Sequence, residues 1–140
     1  MCAIKHLIIM VVEQDDDELD KTCMSLRSLG VETIICVHDY REALTIIEKD
    51  PNIDLVIADL TDEDLRPTGI FLCGIAKKVR PDILFLISSK KSGVTFVGQS
   101  LSAGADGTLS KNHLNEIEGK LPVWLELLVK RKNFNELLEK

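Results

Sequence analysis

Several features that would fix a class of function are missing from this 140-residue sequence. No stretch approaches the roughly 20 apolar residues that a membrane-spanning helix needs, and the longest uninterrupted apolar run is Leu7–Val12. That run meets acid at Glu13 instead of a small-residue cleavage site, so the N-terminus does not read as a secretory signal. The four cysteines, Cys2, Cys23, Cys36 and Cys73, form no Cys-x-x-Cys pair, and the three histidines, His6, His38 and His113, are equally scattered. Ligand spacing for a metal cluster is therefore lacking. Cys23, Cys36 and Cys73 each sit in an apolar stretch and read as reduced structural thiols, not ligands or nucleophiles. No glycine-rich turn follows the first apolar run, which argues against a flavin- or nucleotide-binding turn. Basic residues are outnumbered 17 to 23, for a net charge of −6, so a face for the phosphate backbone of nucleic acid is not expected. These absences leave a cytoplasmic protein that binds neither nucleic acid nor membrane as the expectation.

What is present is an ordinary globular mixture, 45% apolar and 29% charged, of a length that suits one domain. Short β-branched runs alternate with amphipathic stretches. Leu7–Val12 is apolar on both faces, as in a central parallel strand covered by helices on each side. The spacing of Leu19, Cys23, Leu26 and Leu29 predicts a helix over Asp16–Leu29 that Gly30 stops. Val31–Val37 is a second strand. Asp39 and Glu42 have capping-box spacing ahead of a helix that ends by Pro51. Ile53–Ala58 is a third strand, followed by the polar loop Thr61–Thr68 with Asp62, Glu63 and Asp64. Gly69–Arg80 is helical and closed by Pro81, and Ile83–Ile87 is a fourth strand. Val94–Ala103 is a weaker helix, Asp106–Ser110 a short fifth strand, and the chain is helical from Asn112 with a break or kink around Gly119 and Pro122.

Five β-α units imply an all-parallel, doubly wound α/β sheet with right-handed crossovers. In such sheets the functional crevice lies beyond the carboxyl ends of the strands. Strand one ends at Glu13, Gln14 and Asp15, strand three at Asp59, strand four at Ser88 and Ser89, and strand five at Lys111. Acids gathered at one edge raise one another's pKa unless a counter-charge is present, and Mg²⁺, a hard oxygen-binding cation, would relieve them. A carboxylate beside such a cation, a lysine and a hydroxyl is equipped to attack a phosphoryl group. Lys111 would offset charge on the transferred oxygens, and Ser88 would hydrogen-bond one of them.

Four segments carry a resemblance. LIIMVVEQD at Leu7–Asp15 resembles the first strand and acidic turn of response-regulator receiver domains, and IDLVIADL at Ile53–Leu60 resembles the segment bearing their phosphorylated aspartate. LFLISS at Leu84–Ser89 is similar to their hydroxyl-tipped strand, and AGADGTLSK at Ala103–Lys111 to the stretch ending in their lysine. Order and spacing agree over roughly residues 5–128, which would leave 129–140 as a helical extension. The resemblance implies strand order 2-1-3-4-5 and Asp59 as phosphoacceptor, served by a sensor histidine kinase or phosphotransfer protein. It further implies Mg²⁺ held by Glu13, Asp59, the Thr61 backbone carbonyl and either Gln14 or Asp15, with Ser88 and Lys111 on the phosphate. Such a transfer modifies the protein itself, so the chain is not expected to be an enzyme.

Departures from the family pattern bear on switching. Gln14 offers only a neutral carbonyl where a second carboxylate is usual, and a one-residue slip of the turn would present Asp15 instead. The loop after Asp59 is one residue longer and acid-rich, so Asp62 or Asp64 either supplements the metal site or faces water. Thr108 stands at the switch position usually held by an aromatic ring, and Asn112 replaces a proline that carries a cis peptide in the family. Gln14 and Thr108 support a second reading, a degenerate receiver that binds proteins without being phosphorylated. The tail holds Trp124, Leu127, Leu128, Phe134, Leu137 and Leu138, with Lys130–Lys132 among them, too apolar for a free helix. Its first part is expected on the sheet, and its end to pair with a partner or a second copy as a homodimer.

Overall fold

A computed structural model describes residues 1–90, 94–111 and 114–139. Five parallel strands form one sheet: β1 (Ile8–Val12), β2 (Thr33–Val37), β3 (Leu55–Asp59), β4 (Leu84–Ser89) and β5 (Gly107–Ser110), in the order β2-β1-β3-β4-β5. The helices are α1 (Asp16–Ser28), α2 (Tyr40–Lys49), α3 (Thr68–Val79), α4 (Val94–Ser102) and α5 (Leu114–Leu138). The strand order and the α/β class are those expected from the sequence.

Side-chain alternation along the strands builds two cores. Met10, Val12, Val56, Ala58, Phe85 and Ile87 face one layer, where they meet Ala43 and Ile47 of α2, Leu72 and Cys73 of α3 and Phe96 of α4. Ile9, Val11, Leu55, Ile57, Leu86 and Leu109 face the other, against Leu19, Cys23 and Leu26 of α1 and Leu121, Leu125 and Leu128 of α5. Continuous apolar strands are thus explained by burial on both faces.

Helix ends follow local chemistry. The Asp15 carboxylate accepts the Glu18 N–H at 3.1 Å, and Asp16, Asp17 and Glu18 complement the helix dipole in the first turn of α1. Gly30 takes φ +101°, which lets the Gly30 and Val31 amides turn back onto the Arg27 and Leu26 carbonyls. That closure uses Val31, so β2 begins at Thr33 and not at Val31 as its composition suggests. Asp39 caps α2 through the Arg41 N–H at 2.8 Å.

Of the break or kink expected around Gly119 and Pro122, the break does not occur: α5 is one helix from Leu114 to Leu138 with Pro122 inside it. A proline in a helix interior costs about 3 kcal/mol. Leu121, Leu125 and Leu128 are fully buried on the sheet, each contributing about 2 kcal/mol, so packing outweighs the local penalty. The far end of α5 is tied to the body. Arg131 donates to the Asp82 carbonyl at 2.8 Å, Lys132 pairs with Asp54 at 2.7 Å, and Asn133 accepts the Cys2 N–H at 2.7 Å while donating to the Cys2 carbonyl. Phe134, Leu137 and Leu138 beyond them are exposed. Asn112 lies outside the described residues.

Candidate functional site

Period-two alternation decides which side of the sheet each strand tip serves. Val11, Ile57, Leu86 and Leu109 point toward α1 and α5, so positions two residues on, Glu13, Asp59, Ser88 and Lys111, fall on that same side. Backbone bonds hold the tips. The Glu13 amide donates to the Val37 carbonyl at 2.9 Å, Leu60 to Ser88 at 2.8 Å, and Lys111 to Ser89 at 2.8 Å. Asp59 and Ser88 are register partners.

The side chains converge accordingly. The Lys111 ammonium, nearly buried, donates to Glu13 Oε1 and lies 3.2 Å from Asp59 Oδ1. Glu13 is buried, whereas the Asp59 side chain keeps 27% of its exposure. Burial pushes the Glu13 carboxyl up from its ordinary range; the ammonium pulls the other way, and the neighbouring Asp59 carboxylate adds to the rise. Burial works against the charged form of Lys111, but hydrogen bonding and attraction from Glu13 and Asp59 outweigh it and hold the ammonium's pKa above its usual value. Lys111 therefore stays cationic, and the Glu13 carboxyl takes up a proton at a higher pH than an ordinary glutamate.

A cleft of about 230 Å³ opens over this cluster, lined by Glu13, Asp59, Thr61, Leu65, Ser89 and Lys111 among others. The Ser88 hydroxyl is buried and donates to the Ala58 carbonyl at 3.5 Å, while Ser89 borders the cleft. Gln14 turns to the loop, its Oε1 accepting the Glu63 N–H at 2.7 Å. Asp15 caps α1, as described. Thr108 lines a separate groove between α4, β5 and α5, with Val97, Leu101, Val123 and Trp124.

The residues suit a divalent cation in a restricted way. Among the described residues no three His, Cys, Asp or Glu side chains are gathered as ligands. Glu13 and Asp59 nevertheless reach one common cation, the ammonium, so their oxygens already converge on a positive charge. The chemistry of the two carboxylates suits a hard, oxygen-binding cation, and Thr61 borders the same cleft.

The sequence reading missed what holds the loop after β3. Asp62 is buried, and its Oδ1 accepts the Asp64 and Arg66 amides at 2.9 Å, while Oδ2 takes the Arg66 Nε at 2.5 Å. Desolvation opposes ionisation of Asp62, yet these donors together hold its pKa below the ordinary value. Asp62 thus does not face water, and both its oxygens are taken up within the loop, where it organises the turn in which exposed Leu65 adopts φ +61°. Gly69 was missed as well. A Cβ there would stand 2.0 Å from the Asp59 carbonyl oxygen, so only glycine lets α3 begin against the tip of β3.

No family model matches the chain, and no curated protein does. Solved structures do. A receiver domain protein from Methanospirillum hungatei shares 24% identity with a TM-score of 0.74, covering 89% of this chain and 98% of that one. The chain has the response-regulator receiver fold. A receiver domain protein from Clostridium thermocellum aligns with 20% identity and a TM-score of 0.76, over 91% of this chain and 98% of its own. A response regulator from Burkholderia pseudomallei, solved with a phosphorylated aspartic acid and a calcium ion, shares 17% identity and a TM-score of 0.71, over 96% of this chain and 75% of its own. In this receiver fold the cluster of Glu13, Asp59 and Lys111 stands at the carboxyl edge of the sheet, where doubly wound folds keep their sites.

Proposed function

We propose that the chain is a signalling receiver that accepts a phosphoryl group on Asp59 from a partner histidine kinase or phosphotransfer protein and relays the change through protein contacts. The observation that carries this reading is the Lys111 ammonium 3.2 Å from a partly open Asp59 carboxylate at the mouth of a cleft. An Asp59 oxygen attacks phosphorus and forms an acyl phosphate as the bond to the donor imidazole breaks. Lys111 offsets charge on the transferred oxygens, and the hydroxyls of β4 supply a hydrogen bond. Glu13, Asp59 and the Thr61 carbonyl would hold Mg²⁺, which when bound supplies further charge neutralisation. The phosphorylated aspartic acid and calcium of the Burkholderia structure support the reading.

Incubation with acetyl phosphate and Mg²⁺ should add the mass of one phosphoryl group to the wild type and none to Asp59→Asn. A wild type left unmodified by acetyl phosphate and unresponsive to beryllofluoride sinks the proposal while leaving the fold intact. A second reading, a receiver-like protein-binding module without phosphorylation, is favoured by two contacts. Lys111 already pairs with both carboxylates, and the Gln14 oxygen is taken up by the Glu63 amide. Titration with Mg²⁺ separates the two, since binding at millimolar levels or tighter belongs to the first reading. Exposed Phe134, Leu137 and Leu138 suit pairing with a second copy through α5, which a strict monomer in analytical ultracentrifugation would exclude.

A further inference from the structure

Two thiols thirteen positions apart in sequence meet in the fold, with the sulfurs of Cys23 and Cys36 separated by 3.4 Å. Secondary-structure periodicity brings them together. Cys23 belongs to the inward stripe of α1 with Leu19 and Leu26, and Cys36 alternates with Ile35 and Val37 so that it shares the α1 side of β2 with Ile34. Their solvent environments differ: Cys23 is buried, whereas Cys36 is exposed on the edge strand, and both are free thiols. We propose that Cys23 and Cys36 form an oxidation site at which hydrogen peroxide converts the two thiols into an intramolecular disulfide tying α1 to the sheet edge.

The exposed thiol meets the oxidant. The Cys36 sulfur, deprotonated, attacks one peroxide oxygen; the O–O bond breaks, and the leaving hydroxide takes up a proton as water, leaving a sulfenic acid. The Cys23 sulfur then attacks the Cys36 sulfur, the S–O bond breaks, and the departing hydroxide removes the Cys23 proton as a second water. Two thiols have lost two electrons and two protons, and one peroxide has become two waters. Burial, and then the contact with the Cys36 thiol, push the Cys23 pKa up to about 12, so Cys23 is the slower of the two towards peroxide. Its attack on Cys36 rests on the short sulfur–sulfur approach and on losing its proton to the departing hydroxide. The sulfurs close by about 1.4 Å from their 3.4 Å separation to reach bonding distance. The bridge joins α1 to the strand whose Val37 carbonyl holds the Glu13 amide, so it braces the acidic turn from behind.

The experiment treats the full chain with hydrogen peroxide and maps its peptides without reduction. The expected result is a linked Cys23–Cys36 peptide, reversed by dithiothreitol, with Cys2 and Cys73 still open to alkylation after unfolding. Oxidised wild type should melt higher than reduced by on the order of 5–10 °C, because the bridge closes a short loop in the unfolded chain. Cys36→Ser, a change at an exposed position, should lose both the link and the shift. Recovery of Cys36 as sulfinic acid or as a link between two chains, with Cys23 still alkylatable, overturns the proposal. So does an equal yield of the same link in urea, or an oxidation-dependent rise in melting that survives Cys36→Ser.

Discussion

Strand β3 carries an aspartate at each end, and the fold surrounds the two differently. Asp54, just before the strand, uses both oxygens: Oδ2 accepts the Ile8 N–H at 2.9 Å and Oδ1 pairs with Lys132 at 2.7 Å, with 12% of the side chain exposed. Asp59, its last residue, shares the Lys111 ammonium with Glu13 and stays more open, at the edge of a cleft. Opposite charge is present at both ends, so an ion pair does not by itself distinguish a bracket from a reactive group. The difference is stoichiometric. Around Asp54 one carboxylate meets a backbone donor and a lysine, whereas around Asp59 two carboxylates divide one ammonium and leave capacity for further positive charge.

The contrast can be broken experimentally, most severely at Lys111. Lys111→Met leaves Glu13 and Asp59 without their shared counter-charge and should cost about 3 kcal/mol in urea unfolding at neutral pH. Combining it with Glu13→Gln should recover part of that loss, because the buried carboxylate is gone; a fully additive double variant would show that the two side chains act independently. Gly69→Ala forces a methyl group onto the Asp59 carbonyl and should destabilise by about 2–3 kcal/mol, with amide chemical shifts moving at Asp59 and Leu60. Asp54→Ala should cost about 2 kcal/mol by stranding the Ile8 amide, while leaving any phosphoryl transfer to Asp59 untouched.

The smallest expected effect is pH-dependent and concerns Asp62. Its pKa is lower folded than unfolded, so its stabilising contribution is present above the ordinary aspartate value and is lost as pH falls through the folded one. Asp62→Asn should accordingly be less stable than wild type at pH 7, and the gap should narrow as pH drops below about 4. A gap independent of pH would mean that Asp62 acts through its shape alone.

Strand order, two-sided burial and the roster of tip residues were all legible in the chain, because alternation and the β-α rhythm are local properties repeated five times. The role of Asp62 was not, since a carboxylate in an acid-rich loop looks solvated until Arg66 is seen folding back onto it. Pro122 misled for the opposite reason: its local penalty is written in the sequence, but the three leucines that outweigh it act only against the sheet.

The sequence by itself determined that one edge of a parallel sheet would collect Glu13, Asp59, Ser88 and Lys111, because strand period and strand ends are set residue by residue. Only the tertiary structure decided how charge is divided there, that Gln14 serves the loop, and that Cys23 meets Cys36. Those outcomes depend on distances between separate elements, which packing establishes and no local pattern encodes.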